Sequence, residues 1–213
     1  MLRFQIFKKK LPKVTIEYSK LLDSFFVFYC QNKPELKKGW SDWAPLPTDK
    51  LIENVELFRQ AWEKDGKRML LEACSVLNLD FSRNIIPVYV VSGSPRPFGD
   101  PVVIRADFAR PDSFIDVLVH ELIHVLFADN QKKVPWSIHM EMFPNENPDT
   151  QNHIIVHAVL KYVYLDVLKD PERLQRDVNR SAKHRSSDYV RAWEIVEQYG
   201  YQELITKFLS KYK

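Results

Sequence analysis

The chain has 213 residues, 45% hydrophobic and 28% charged, with five Gly, thirteen Pro and no repeat or low-complexity stretch. Those values suit a folded domain with a sizeable core and exclude a linker-rich or solenoid chain. A formal net charge of +3, with basic and acidic residues mixed, makes no case for a nucleic-acid partner, although it does not exclude one.

The opening "MLRFQIFKKKLPK" carries its basic cluster after a short apolar stretch, the reverse of a secretory signal. "LLDSFFVFYC" is too short to span a bilayer and is broken by Asp23, so the expectation is a cytoplasmic protein with no membrane partner. Cys30 and Cys74 lie in apolar surroundings without a C-x-x-C spacing, which suits buried free thiols.

In chain order, "KVTIEYS" (13–19) alternates as a strand, and "SKLLDSFFVFYC" suits either helix or strand. Residues 31–48, with Pro34, Gly39, Pro45 and Pro47 around Trp40 and Trp43, read as an ordered loop. Thr48 is placed to cap a helix through "LIENVELFRQAWEK" that Gly66 ends, and a second helix runs through "RMLLEACSVLNL". "NIIPVYVV" and "PVVIRAD" read as a strand hairpin joined by "SGSPRPFGD", which is a rim or a simple connection. The second of these strands is a candidate sheet edge for an extended substrate, or else an inner strand.

The stretch 117–130, "VLVHELIHVLFADN", reads as a helix apolar on nearly all sides, hence a buried central one. A proline-bounded loop of about twenty residues follows, then helices from Asp149 or Thr150 to about 169, from Pro171 to about 183, from Ser187 to Gly200, and over the tail "YQELITKFLSKY". The order of helices, a few strands, then helices gives an α+β class, mainly helical with a small β-sheet. The expected organisation is a single domain over 1–213, dividing, if it has lobes, into 1–80 and a catalytic core over 81–213.

His120 and His124 stand one turn apart on one helix face, with Glu121 about 100° round. Three polar groups in such an apolar run need a shared partner, and a metal ion serves. "HELIH" is the His-Glu-x-x-His signature of zincins, in which two imidazoles hold Zn²⁺ and the Glu takes a proton from the water on it. A hydrolytic zinc site needs a third protein ligand. The metzincin pattern does not supply one, because Phe127 and Asn130 stand where it requires Gly and His.

"TQNHIIVHAVLKY" (150–162) places His153 and His157 one turn apart at the start of a second apolar helix. The two motifs together resemble those of thermolysin-like gluzincins, with His in place of both acidic residues of the second motif. By position the resemblance makes His153 the third ligand and His157 the residue that orients a ligand, and the two roles can exchange. It implies a zinc-dependent peptide hydrolase with a peptide or protein substrate, Glu121 as base, and His184 or Tyr189 as donor to the developing oxyanion. A third histidine after a short insertion is similar to SprT-like, DNA-associated proteases. His139 would then be the ligand, although "SIHMEMFP" reads as loop and favours a partly exposed histidine. Other readings are a non-catalytic zincin-like binding or regulatory domain, and a closed structural site of His120, His124, His153 and His157. The stripe Arg173, Arg176, Arg180 and Lys183, interleaved with acidic residues, reads as a solvated helix face.

Overall fold

The structure, a computed structural model, describes residues 10–33, 43–183 and 187–212. Most of the basic N-terminal stretch, the centre of the Trp40 loop and His184 lie outside the described residues. The secondary structure is mainly helical with a small four-stranded sheet, and no described helix is long and apolar enough to cross a membrane.

The described residues fall into two compact units. The first holds residues 12–33, 43–68 and 83–125. Its sheet consists of β1 (Lys13–Tyr18), β2 (Ile85–Val91), β3 (Phe98–Gly99) and β4 (Val102–Arg105), in the order β1-β2-β4-β3. β1, β2 and β4 run parallel, and β3 returns antiparallel to β4 with Phe98 opposite Val103. The two runs read as a hairpin are therefore parallel neighbours. The strand beyond β4 is the two-residue β3, so β4 is an inner strand and its Val102, Val103 and Ile104 are all buried. Pro87 is tolerated in β2 because β4 pairs only from Val88 onwards. At the far edge Arg59 donates from Nε to the Ile16 carbonyl at 2.8 Å.

α1 (Lys20–Asn32) settles the ambiguous stretch as a helix, with Ser19 accepting the Leu22 N–H as its cap. α2 (Thr48–Ala61) does not stop at Gly66. It passes through a π-helical turn, Trp62–Gly66, into α3 (Lys67–Leu77). Gly66 serves packing and not termination: a Cβ there would stand 2.2 Å from Trp62 Cε3, so glycine is what lets the buried indole fold back on the helix. α4 (Pro111–Asp129) carries the HELIH motif and is buried as expected, with Phe114, Ile115, Leu118, Val119, Leu122 and Ile123 at 0% exposure. Phe58 of α2 stacks on Phe114, ring centroids 3.9 Å apart.

The second unit comprises residues 10–11, 69–82, 126–183 and 187–212. Its helices are α5 (Ser137–Met142), α6 (Pro148–Tyr162, continued by a π-helical segment to Leu168), α7 (Pro171–Ala182), α8 (Asp188–Tyr199) and α9 (Tyr201–Ser210). α6 is its centre, with every residue from His153 to Leu160 buried. α5 interrupts the long loop expected there, with turns on both sides of it. The basic stripe of α7 is also not simply a solvated face. Arg173 is 2% exposed with a guanidinium N–H directed at Met69 Sδ, and the buried Asp177 takes hydrogen bonds from Tyr164 Oη and Arg180. Cys30 and Cys74 are both buried, and neither is in a disulfide.

Candidate metal centre

α4 places His120 and His124 one turn apart, and their Nε2 atoms lie 3.1 Å from one another. His120 is buried and His124 half-buried. Phe114, Ile115, Leu118, Val119, Leu122 and Ile123 cover most of the helix around the motif, and the two Nε2 atoms lie side by side on the remaining face.

α6 begins at a well-defined cap. Asn147 Oδ1 accepts the Thr150 N–H, Pro148 takes the first turn, and the Gln151 amide donates to the carbonyls of Phe143 and Glu146, each at 2.8 Å. This fixes the first turn, which carries His153. There the His153 Nδ1–H donates to the Asp149 carbonyl at 2.6 Å, which selects the tautomer with its lone pair on Nε2, the form a metal ligand needs.

Among the described residues, one group of His, Cys, Asp or Glu has three convergent ligand atoms: His120, His124 and His153, all within 4.8 Å of one another. Three imidazoles so placed can hold a metal ion.

Glu121 is not in that group. Burial pushes its carboxyl up to about 7, and the positive charge of Arg96 draws it partly back. A Cβ on Gly99 would stand 3.4 Å from Glu121 Oε2, so the short strand β3 passes directly beside the carboxylate. Arg96 and Gly99 were not singled out from the sequence. They lie in "SGSPRPFGD", where glycine and proline signal turns and give no hint of what the turn touches.

The other candidates divide. His157 is 1% exposed and outside the ligand group; its ring stacks on Trp193 at 4.3 Å and 12°, with its centroid 5.7 Å from that of His153. Tyr189 lies with its ring 4.1 Å from that of His153. It is carried there by α8, whose Asp188 takes hydrogen bonds from Asn147 and Thr150 at the start of α6. His139 is not the partly exposed loop histidine expected. It sits on α5 at 2% exposure, among Trp136, Phe127 and Phe208, with ring distances of 5.0, 5.5 and 5.2 Å, and it is not in the ligand group. That apolar cage lowers its pKa to about 4, burial outweighing a hydrogen bond to the Gln151 backbone. His184 lies outside the described residues.

Compared with protein-family models, curated proteins and solved structures, the chain gives no match, so the chemistry of this centre is argued from its own side chains.

Proposed function

We propose that the chain is a zinc metallopeptidase of the zincin type. The observation that carries this reading is the convergence of His120, His124 and His153 beside a half-buried Glu121 that is not itself one of the ligands. The donor set fits zinc. Zn–N bonds of about 2.0–2.1 Å in a tetrahedron put two ligand nitrogens roughly 3.4 Å apart, near the 3.1 Å between the Nε2 atoms of His120 and His124. His120, His124 and His153 would supply the three protein ligands that hydrolytic zinc sites use.

The chemistry a zinc ion supplies when bound is Lewis acidity, which polarises a carbonyl and makes a water acidic near neutral pH. With such an ion bound, Glu121 would take up a proton on its carboxylate and pass it to the leaving amine. Burial raises this carboxyl, and a cation on the three imidazoles would draw it toward the ionised, basic form. β3, at the end of the sheet and beside Glu121, offers backbone groups to an extended peptide. Tyr189 is the described candidate for donating to the developing oxyanion, since its ring already packs on the ligand His153. His157 of α6, stacked on Trp193 of α8, acts as packing that fixes this face.

The test is hydrolysis of a diverse peptide library by zinc-loaded protein, with Glu121→Gln as control. Glu121→Gln is expected to keep metal content and melting temperature and to lose turnover. Full activity in that variant overturns the assignment of the base. A zinc-loaded wild type that cuts nothing favours a non-catalytic domain that binds through the same site.

A further inference from the structure

α1 presents an apolar row to solvent. Leu21 is 81% exposed, Phe25 59%, Phe28 66% and Tyr29 38%, while the opposite side of the helix buries Cys30. The spacing i, i+4, i+7, i+8 keeps the four on one face, and Phe25 stacks on Tyr29 with rings 4° from parallel. Exposed apolar side chains are ordinary singly, but a contiguous aromatic row marks a contact surface.

The row does not stand alone. Phe25 meets Phe26 edge-on at 5.5 Å, and Phe26 meets Phe98 of β3 at 5.6 Å. Arg96 lies over the Phe98 ring at 5.4 Å, and the next residue, Gly99, borders Glu121. An unbroken chain of contacts therefore runs from the exposed face of α1 to the strand beside the proposed catalytic base. That continuity identifies the occupant: a chain lying along β3 is led onto α1. The charges along α1 are few: Lys20 is exposed at its first residue, and Asp23, its one acid, is turned inward to the N–H and hydroxyl of Ser92, so that the row itself offers apolar surface.

We propose that Leu21, Phe25, Phe28 and Tyr29 form a recognition surface for an apolar, aromatic-bearing segment of the polypeptide on which the Glu121 site acts. The inference rests on the reading of that site as a peptide hydrolase and names its substrate class: chains that expose hydrophobic segments, as unfolded polypeptides do. From Leu21 to Tyr29 the row covers about 12 Å of helix, enough for roughly four residues of extended chain.

The experiment starts from a library peptide that the zinc-loaded protein cleaves, extended in one version by Phe and Leu residues and in the other by Ser and Gln. Each is tested with wild type, with Phe25→Ser/Phe28→Ser, and with Phe28→Ser alone should the double variant fold poorly. The expected result is a KM for the Phe/Leu peptide raised roughly tenfold or more, kcat retained, and the Ser/Gln peptide unaffected. Fluorescence anisotropy of the same labelled peptides reads binding without turnover. If wild type cuts neither peptide but binds the Phe/Leu version and the variant does not, the surface is supported and the hydrolase reading falls. Equal KM and equal binding in wild type and variant overturn the inference. So does a dimer that the variant dissolves, or binding to lipid vesicles that the variant abolishes, because either gives the row a different occupant.

Discussion

The Nδ1 atom of His153 is held by the Asp149 carbonyl one turn earlier in the same helix, at 2.6 Å. A backbone carbonyl cannot be lost by mutation of a side chain, so the tautomer that directs Nε2 outward is built into α6 itself. His153→Ala is therefore expected to weaken zinc binding by far more than 100-fold. His157→Ala, which removes a ring stacked on Trp193, should cost no more than the roughly 10- to 100-fold typical of groups that only orient a ligand. Competition titration with a chromogenic chelator measures both. A zinc affinity left intact by His153→Ala and destroyed by His139→Ala would reverse the assignment.

Zinc bound by the folded chain and not by the unfolded one adds its binding energy to stability, about 4 kcal/mol at a free concentration 1,000 times Kd. Stripping the metal with a chelator should lower the melting temperature, and restoring one equivalent should recover it. Calorimetry of stripped and reloaded protein checks this, and identical melting curves would count against a metal centre at the three histidines.

His139 supplies a pH dependence that can be separated from the metal. Its caged imidazole titrates near 4, below the 6.5 of an exposed one. Between those values the unfolded chain takes up a proton that the folded chain refuses. The neutral, buried form thus stabilises the fold fully above pH 6.5, and this contribution is lost as pH falls toward 4. The whole effect is on the order of 3 kcal/mol, with about 2 kcal/mol of it gone at pH 5. His139→Phe, which keeps an aromatic ring but cannot titrate, should show a smaller shift in urea midpoint between pH 7 and pH 5 than wild type does. Equal shifts would show that His139 is not the group responsible.

Gly66→Ala should run against the usual rule. In a helix interior this change normally stabilises by roughly 0.5–1 kcal/mol. Here the new methyl would meet Trp62 Cε3 at 2.2 Å and push a buried indole aside, for an expected loss of about 1–3 kcal/mol. Chemical denaturation of the single variant decides the sign.

Gly99 tests the strand beside the base. Gly99→Ala places a methyl at 3.4 Å from Glu121 Oε2, an ordinary contact, and should leave peptide hydrolysis within about threefold of wild type. Gly99→Val, with two further methyl groups, should displace Glu121 and cost on the order of 100-fold in kcat while metal content is unchanged. A fully active Gly99→Val protein would mean that β3 does not constrain the carboxylate.

The group of three histidines was legible in the sequence by two routes: a period of 3.6 puts His120 and His124 on one face of α4, and the resemblance of the two motifs to those of gluzincins is what pointed to His153 on α6. What was not legible came from short elements and from partners distant in the chain. α5 has only six residues between Pro135 and Pro144, too few for a period, yet Ile138, His139 and Met142 all turn inward, and His139 is buried where loop reasoning left it exposed. The parallel pairing of β2 with β4 was hidden because their ten-residue connection looks like a hairpin loop, while the two residues of β3 inside it reverse the chain once more. Gly66 carries the ordinary mark of a helix end, and only the position of Trp62 shows why the helix goes on.

The sheet's two ends also bear on how the protein behaves at high concentration. An open strand edge is a template on which a second copy can pair and begin to aggregate. At one end that template is the two residues of β3, set between Pro97 and Pro101, neither of which has an N–H to offer. At the other, the Arg59 guanidinium occupies the Ile16 carbonyl, and the exposed Lys13 and Glu17 put charge along β1. A strand edge of two residues is too short to nucleate a growing sheet, so this end of the sheet adds little risk of fibre formation.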